Sequence, residues 1–419
     1  MRPPRILPGV SERLAKNAGA PVLSASAQPP GNPGTLKGSR QRRHELIRKI
    51  EAARKSRVLV YVCSDRPGLS TQLGEDAVRP MYDVVRRLGA VDRLDLFLYS
   101  RGGAVEVPWR IVSMLREHCK RLGALIPFRA HSAATLIAMG CDEIVMGPKA
   151  ELGPIDPSLP RRAVHEGSVT TQEDVLVEDV MSYVAFVKNQ AGLASESMMA
   201  EQMRILSERL SPWTVGKVYR MHSHIRQVAA QMLTAHANPL GQEEISRIVD
   251  ALAERAHSHG QAITRNEVKE LGLPLQAAAP GLEAAMWSLL EEYERMLEMR
   301  RPVDLDGMLG EGRDEADAPQ VAAVIEATEM TWAYRGLLRV RRIRQTPQQL
   351  NINIKLGITL PEGIAKDRIP KEIVDQLLKQ VKTDVPEFAK QQTRDQSAVV
   401  RVDMRFQGSE WQDVTAEDV

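Results

Sequence analysis

The strongest constraint on the fold is a series of short apolar runs that alternate with helical segments over residues 58 to 146. The first run, Val58 to Cys63, is continuously apolar, which is typical of a strand in a sheet covered on both faces. Comparable runs at 94–99, 124–129 and 143–146 are separated by segments with helical periodicity. Strands and helices that alternate at these lengths predict an α/β fold with a parallel sheet.

The pattern changes after residue 160, where long helical segments follow one another and no further strand is expected before residue 275. A helix is predicted at 281–299, an acidic linker at 304–317 and another helix near 319–341. Period-two alternation then predicts half-exposed strands at 350–358 and 399–406. We therefore expect a helical region added to the α/β domain and a small α+β appendage at the C-terminus.

The expected organisation has four parts. They are a flexible Pro/Gly-rich arm with a basic helix (1–57), a catalytic-type α/β domain (58–275), a helix with an acidic linker (276–318) and the α+β appendage (319–419).

The end of the arm is strongly basic although the whole chain is nearly neutral. Nine Lys or Arg stand against two Glu between Lys37 and Arg57, while the formal net charge of the chain is only +2. Leu46, Ile47 and Ile50 add a thin apolar stripe, so we predict a basic amphipathic helix. It could bind an acidic partner or nucleic acid, or it could be a solvated helix that leads into the domain.

Several classes of protein are disfavoured by what the sequence lacks. The three cysteines have no CxxC or CxxH spacing, so neither a disulfide framework nor a zinc site is expected, and a reducing, cytoplasmic location fits. No window approaches 18 consecutive apolar residues, so no membrane segment is expected. No cluster with metal-ligand spacing and no GxGxxG after a strand is present, so we expect neither a metal nor a cofactor.

Two strand-to-helix junctions carry the candidate chemistry. In the first, a strand runs into Ser100-Arg101-Gly102-Gly103, where paired glycines allow a ligand to approach backbone N–H groups. In the second, Ser132 lies between a buried strand and a helix of small residues. Ser132 could be a simple N-cap, or its hydroxyl could attack a carbonyl beside unpaired N–H groups. Neighbouring parallel strands would bring both turns to the same sheet edge.

Four stretches in order resemble the so-called serine dehydrogenase proteinase family of the Clp/crotonase superfamily, which is related to signal peptide peptidase A. The stretches are residues 96–104, 130–140, 142–147 and 152–157, and the similarity spans about 58–275. The resemblance implies a Clp/crotonase-like fold of repeated strand-strand-helix units, a peptide or protein substrate and assembly into a homo-oligomer.

Position by position, the resemblance implies that Ser132 is the nucleophile and that Gly102, Gly103 and the N–H of Ala133 form the oxyanion hole. In the signal peptide peptidase A branch the base is a lysine on a later helix, and Lys188 lies at the fitting place. Burial against the neighbouring apolar residues would suit it to that role.

Other bases remain open. Clp-type subunits use a histidine after the serine, which makes His165 the alternative base, and Lys217 is a further candidate. His131 directly precedes Ser132, and because adjacent side chains on an extended segment point to opposite sides we expect it to pack behind the site. Asp156 is expected to form a turn.

The functional hypothesis is a serine peptidase that hydrolyses peptide bonds through a Ser132 acyl-enzyme with a Ser-Lys dyad. One alternative is a catalytically silent oligomeric scaffold or binding module of the same fold. Another is a crotonase-like enzyme acting on acyl-coenzyme A, which would need the oxyanion hole but not the serine.

Overall fold

The structure is a computed structural model that describes residues 39–155, 158–162, 172–193, 195–254, 262–347 and 371–417. The helices in these ranges are α1 (Ser39–Arg54), α2 (Val78–Leu88), α3 (Val107–Arg116), α4 (Ala133–Met139), α5 (Val177–Ala185), α6 (Glu196–Arg209), α7 (Pro212–Thr234), α8 (Gln242–Glu254), α9 (Arg265–Glu270), α10 (Pro280–Met296), α11 (Leu305–Leu309) and α12 (Lys371–Gln396). A 3₁₀ turn spans Glu75–Ala77 and a π-helical turn spans Phe186–Gln190.

The strands are β1 (Arg57–Cys63), β2 (Asp65–Arg66), β3 (Leu69–Ser70), β4 (Val91–Tyr99), β5 (Cys119–Ile126), β6 (Arg129–Ala130), β7 (Glu143–Met146), β8 (Glu151–Leu152), β9 (Ser158–Arg162), β10 (Gln172–Leu176), β11 (Ile263–Thr264), β12 (Leu275–Ala277), β13 (Glu315–Ala327), β14 (Met330–Gln345) and β15 (Ala398–Asp413). Eight of them form one mixed sheet in the order β12-β7-β5-β4-β1-β13-β14-β15.

The first part of the sheet is parallel, as the alternating apolar runs predicted. Strands β1, β4, β5, β7 and β12 pair in parallel. Strand β1 is covered on both faces: Val58, Val60 and Val62 pack with α1 and α10, while Leu59 and Tyr61 face the core formed with α2 and α3. This two-sided burial explains why β1 is apolar at every position.

The second part of the sheet departs from the sequence expectation. Residues 319–341, predicted as a helix, lie in strands β13 and β14, and β13 pairs antiparallel with β1. Residues Ala322–Ala327 are all buried in the sheet. Pairing with the neighbouring strands therefore overrides the helical propensity of this alanine-rich segment. The expectation of no strand between residues 160 and 275 is likewise wrong, since the short strands β10 and β11 lie in this range.

The acidic stretch 304–317, expected to be a linker, begins α11 and then enters the sheet. Asp304 accepts a hydrogen bond from the N–H of Gly307 and so caps α11. Four of the other acidic side chains pair with arginines of β14, among them Asp317 with Arg339 at 2.6 Å and Asp314 with Arg344 at 2.8 Å. The sheet therefore continues without interruption across the expected boundary at residue 318.

The basic helix α1 is a structural layer rather than a solvated lead-in. Its apolar stripe is buried against α10 and β1. Arg43 is fully buried and donates two hydrogen bonds to Glu326 of β13, from Nε at 2.7 Å and Nη2 at 3.1 Å. Arg54 is held by Asp95 at 2.9 Å and Glu143 at 3.0 Å. A large part of the basic charge of this segment is thus neutralised inside the fold.

Candidate active site

The site lies at the carboxyl ends of β4 and β6, where two turns meet. The Ser100 N–H donates to the Arg129 carbonyl at 3.1 Å, and the His131 N–H donates to the Ser100 carbonyl at 3.0 Å. These bonds place the turn with Gly102 beside the turn with Ser132. The meeting of the two junctions is the arrangement that parallel strand pairing predicted.

Ser132 has an uncommon backbone conformation. Its φ of 52° and ψ of −118° place it in the positive-φ region, which costs a non-glycine residue of order 1–3 kcal/mol and often marks functional sites. Although Ser132 is the N-cap residue of α4, its side chain makes no capping hydrogen bond. Within the described residues its hydroxyl makes no hydrogen bond at all. The N-cap alternative therefore does not account for this serine.

Strand, sharp turn and helix around Ser132 form a strained junction of the kind that exposes nucleophilic serines in α/β-hydrolases. Ser132 is nevertheless buried, with only 9% of the residue exposed. Within the described residues the Ser132 hydroxyl is therefore free to pair with the general base that a nucleophilic serine needs.

Two backbone N–H groups beside Ser132 have no acceptor within the described residues, those of Gly103 and Ala133. The third candidate donor is engaged, because the Gly102 N–H donates to the Ser100 hydroxyl at 3.0 Å. The geometry therefore separates the three expected oxyanion donors into two available groups and one that already has a partner.

Both glycines are required by close contacts. A Cβ on Gly102, whose φ is +107°, would lie 2.7 Å from the Ser132 Cβ and 2.8 Å from the His131 carbonyl oxygen. A Cβ on Gly103 would lie 2.3 Å from the carbonyl oxygen of Leu73. Leu73 clamps this turn from the other side, since its N–H donates to the Gly102 carbonyl at 2.8 Å and its carbonyl accepts from the Ala104 N–H at 3.0 Å.

The candidate bases are less well placed. Lys188 lies in the π-helical turn after α5 and is exposed, as are its neighbours Ala185 and Phe186, so the expected burial is not present in the single chain. Lys217 on α7 is also exposed. No hydrogen bond links Ser132 to either lysine in the described part of the chain. His165 and Asp156 lie outside the described residues.

His131 packs behind the site, as expected. Its ring lies against Gly153, where a Cβ would come within 2.8 Å of the His131 Cγ. Its Nε2 is 3.2 Å from Oε1 of Glu151, a close contact that is not a hydrogen bond. Burial lowers the pKa of His131, with a further lowering by Arg101 and Arg129 and an opposing effect of Glu151.

A group of charged residues that no sequence motif connects lies beside the two turns. Asp65 accepts hydrogen bonds from the Tyr99 hydroxyl at 2.8 Å, Arg101 Nε at 3.1 Å and Arg129 Nη1 at 3.1 Å. Arg129 also binds Glu151. These residues come from separate strand ends, so only the pairing of the strands could have indicated that they meet.

Comparison with known proteins relates one region of the chain to a known family. Residues 35–171 match the model of ClpP-like SDH-type serine proteinases. This part of the chain is similar to that family. The match confirms the family that the sequence motifs resembled. The matched range contains Ser132, Gly102 and Gly103, whereas Lys188 and Lys217 lie beyond it.

Two curated relatives are proteins of Methanocaldococcus jannaschii described as uncharacterised. MJ0137 is 25% identical over 225 residues, covering 53% of this chain and 67% of the relative. MJ1495 is 25% identical over 260 residues, covering 60% of this chain and 76% of the relative. The similarity to both extends beyond the residues that match the SDH-type proteinase model.

Similar solved structures include two proteases. ClpP1 from Listeria monocytogenes is 14% identical, with 57% of this chain and 97% of that chain covered and a TM-score of 0.28. The 1510-N membrane-bound stomatin-specific protease, in complex with a substrate peptide, is 12% identical, with 55% and 77% covered and a TM-score of 0.29. In the described ranges of the present chain, no helix has the length and apolar character needed to cross a bilayer.

Proposed function

We propose that the chain is a serine peptidase that cleaves peptide bonds through an acyl-enzyme on Ser132. The observation that carries this proposal is the conformation of Ser132, which is strained, does not cap its helix and leaves its hydroxyl unpaired beside two unpaired N–H groups. A serine with only a structural N-cap role would make the capping hydrogen bond and would not need a strained backbone. The match to a serine proteinase family over these residues supports the same chemistry.

In the proposed reaction the Ser132 Oγ attacks the carbonyl carbon of the scissile bond and its proton passes to a general base. The N–H groups of Gly103 and Ala133 are the donors we assign to the developing oxyanion. Collapse of the tetrahedral intermediate breaks the C–N bond, and the leaving amine takes up a proton. Water then hydrolyses the Ser132 ester and restores the hydroxyl.

We assign the base to Lys188, with His165 and Lys217 as alternatives. An exposed lysine is a poor base because its charged form is stabilised by water. Lys188 would need to become buried, and contact with a second copy of the chain would supply that burial. The apolar side chains exposed near it on α5 to α7, such as Phe186 and Trp213, favour such a contact. We therefore propose a homo-oligomer.

A fluorophosphonate probe tests the nucleophile directly, because it reacts only with activated serines. The wild type should be labelled and the modified residue should map to Ser132, while Ser132→Ala should remain folded but unlabelled. Ser207→Ala on α6, whose hydroxyl donates to the Met203 carbonyl, serves as the matched control and should label normally. Labelling that survives Ser132→Ala would overturn the proposal.

A catalytically silent scaffold is the second candidate, and the exposure of both lysines favours it. It predicts a folded wild type that takes up no probe. A crotonase-like enzyme is distinguished by acyl-coenzyme A turnover that Ser132→Ala retains. In either case the fold and the conformation of Ser132 would be the same.

A partner of acidic chemistry at residues 37–57 would use the cations on and beside α1 that are exposed and make no ion pair within the described residues, namely Arg48, Lys49 and Lys55; the exposed Arg42 pairs with Glu45. Binding of a single-stranded oligonucleotide that weakens steeply between about 50 and 200 mM salt would support it. If the variant with all three residues changed to Glu binds the oligonucleotide as tightly as the wild type, these cations do not form a binding site for an acidic partner. We place the protein in the cytoplasm, in keeping with three unpaired cysteines.

A further inference from the structure

Arg129 joins two carboxylates at the edge of the candidate active site. Its Nη1 lies 3.1 Å from Asp65 Oδ2 and its Nε lies 3.1 Å from Glu151 Oε1. The guanidinium also lies over the Phe128 ring, 4.0 Å from the ring centroid. About a quarter of the Arg129 side chain is exposed. Because the planar guanidinium binds two different carboxylates at once, its orientation is fixed.

Each of the two carboxylates contacts a residue that directly precedes a candidate catalytic group. Asp65 accepts a hydrogen bond from Arg101, which precedes the oxyanion turn at Gly102. Glu151 lies 3.2 Å from His131, which precedes Ser132. Arg129 is thus the shared link between one side chain beside the glycines and one beside the serine.

The backbone around Arg129 connects the same segments. Its carbonyl accepts from the Ser100 N–H at 3.1 Å, and β6 pairs in parallel with β8, which carries Glu151. The side-chain network therefore acts across strand ends that are already adjacent. The Arg129 network also fixes the positions of the residues that follow those strands, where backbone pairing ends.

We propose that Arg129 is a positioning residue that holds the oxyanion turn and the Ser132 turn in register through Asp65 and Glu151. The inference rests on the proposed peptidase function for its effect on rate. Oxyanion donors act only when they are close to the position of the developing charge, and a misplacement of about 1 Å can cost roughly 10²-fold in rate. Loss of Arg129 should therefore slow acylation without removing the nucleophile.

Acylation kinetics with the fluorophosphonate provide the first test. Arg129→Ala should lower the second-order labelling rate constant by about 10- to 100-fold, mostly in the bond-forming step. Arg129→Lys should recover only part of the rate, because one ammonium group cannot span both carboxylates with the fixed fork of a guanidinium. Labelling of Arg129→Ala at the wild-type rate would overturn the inference.

Arg116 supplies the matched control. It is also partly buried and pairs with Asp142 at 3.0 Å, but it lies by the amino end of β7 rather than at the site. Arg116→Ala should lower the melting temperature without the same loss of labelling. If both variants lose labelling equally, Arg129 contributes only to general stability, and the inference is contradicted.

Chemical rescue separates positioning from folding. Guanidinium chloride at low millimolar concentration should restore part of the labelling of Arg129→Ala, since it can occupy the space between the two carboxylates. Ammonium chloride at the same concentration should restore less. The absence of any rescue, in a variant shown to be folded by circular dichroism, would count against the proposal.

The network can also be tested without any activity, which distinguishes its failure from failure of the peptidase assignment. The groups that face His131 are Glu151, Arg101 and Arg129, and the positive charge of Arg129 lowers the pKa of His131. The imidazole NMR signal of His131 should therefore titrate at higher pH in Arg129→Ala and remain unchanged in Arg116→Ala. An unshifted titration in Arg129→Ala would refute the link.

Discussion

Gly102 and Ser132 are in direct contact across the two turns, since a Cβ on Gly102 would lie 2.7 Å from the Cβ of Ser132. The contact joins the residue after the Ser100-Arg101 turn to the candidate nucleophile, although the two are 30 positions apart in sequence. A side chain at position 102 would therefore push against the residue whose exact orientation the proposed reaction needs.

Gly102→Ala should abolish most probe labelling while leaving much of the fold intact. The new methyl would contact Ser132 and the His131 carbonyl oxygen, and the positive φ of +107° adds strain of order 1–3 kcal/mol. Gly89→Ala is the control, because Gly89 also has a positive φ of +75° but nothing within 4 Å of the added Cβ. The Gly89 variant should lose some stability and keep its labelling; equal labelling in both would contradict the close-contact argument.

The buried pair of Arg43 and Glu326 should make stability depend on pH. Burial raises the pKa of Glu326, but the charge of Arg43 and hydrogen bonds from Arg43 and Tyr293 outweigh it and hold the pKa well below its usual range. A carboxyl with a lowered folded pKa stabilises the fold above its unfolded pKa of about 4.3, and this contribution is lost as the pH falls further.

Glu326→Gln should therefore melt at lower temperature than the wild type at pH 7, because breaking a buried ion pair costs roughly 3–5 kcal/mol. The difference should shrink as the pH is lowered from about 5 towards 2. Asp317→Asn, which removes an exposed pair with Arg339, is the control and should change the melting curve little. A Glu326→Gln melting temperature equal to the wild-type value at pH 7 would contradict the assignment.

Lys188→Met should decrease the labelling rate constant by about 10²- to 10⁴-fold if Lys188 is the general base. Lys217→Met removes a second exposed lysine of the helical region and should leave the rate unchanged. If oligomer formation buries Lys188, the rate per chain should also rise with protein concentration. Wild-type labelling by Lys188→Met would exclude it as the base, and the same measurement on His165→Gln and Lys217→Met would then decide between the alternatives.

The sequence predicted what depends on local pattern. The continuous apolar run from Val58 to Cys63 predicts a strand buried on both faces. Ser132 is recognisable because a strand, a serine and a small-residue helix follow one another. The strain at Ser132 and the engaged N–H of Gly102 could not be predicted, because both depend on the opposing turn.

What the sequence could not indicate depends on contacts between distant segments. Arg43 and Glu326 are 283 positions apart, so a buried ion pair could not be distinguished from a charged surface helix. The helical propensity of residues 319–327 is misleading for the same reason, since these residues form a strand by pairing with β1 and β14. Asp65, Arg129 and Glu151 meet through three separate strand ends, and each alone resembles an ordinary surface charge.

The strands at 315–345 should be indispensable for folding, because they complete the sheet rather than form an appendage. A chain that ends at residue 312 would lose β13, expose the backbone edge of β1 and leave the buried Arg43 without Glu326. We expect this truncated chain to be insoluble or to lack a cooperative thermal transition.

A chain that ends at residue 397 retains β13, β14 and Glu326 and should still melt cooperatively, at lower temperature because β15 is missing. Circular dichroism melting of both chains beside the full protein checks the prediction, and a transition in the 312-residue chain equal to that of the full protein would show that the C-terminal strands are dispensable.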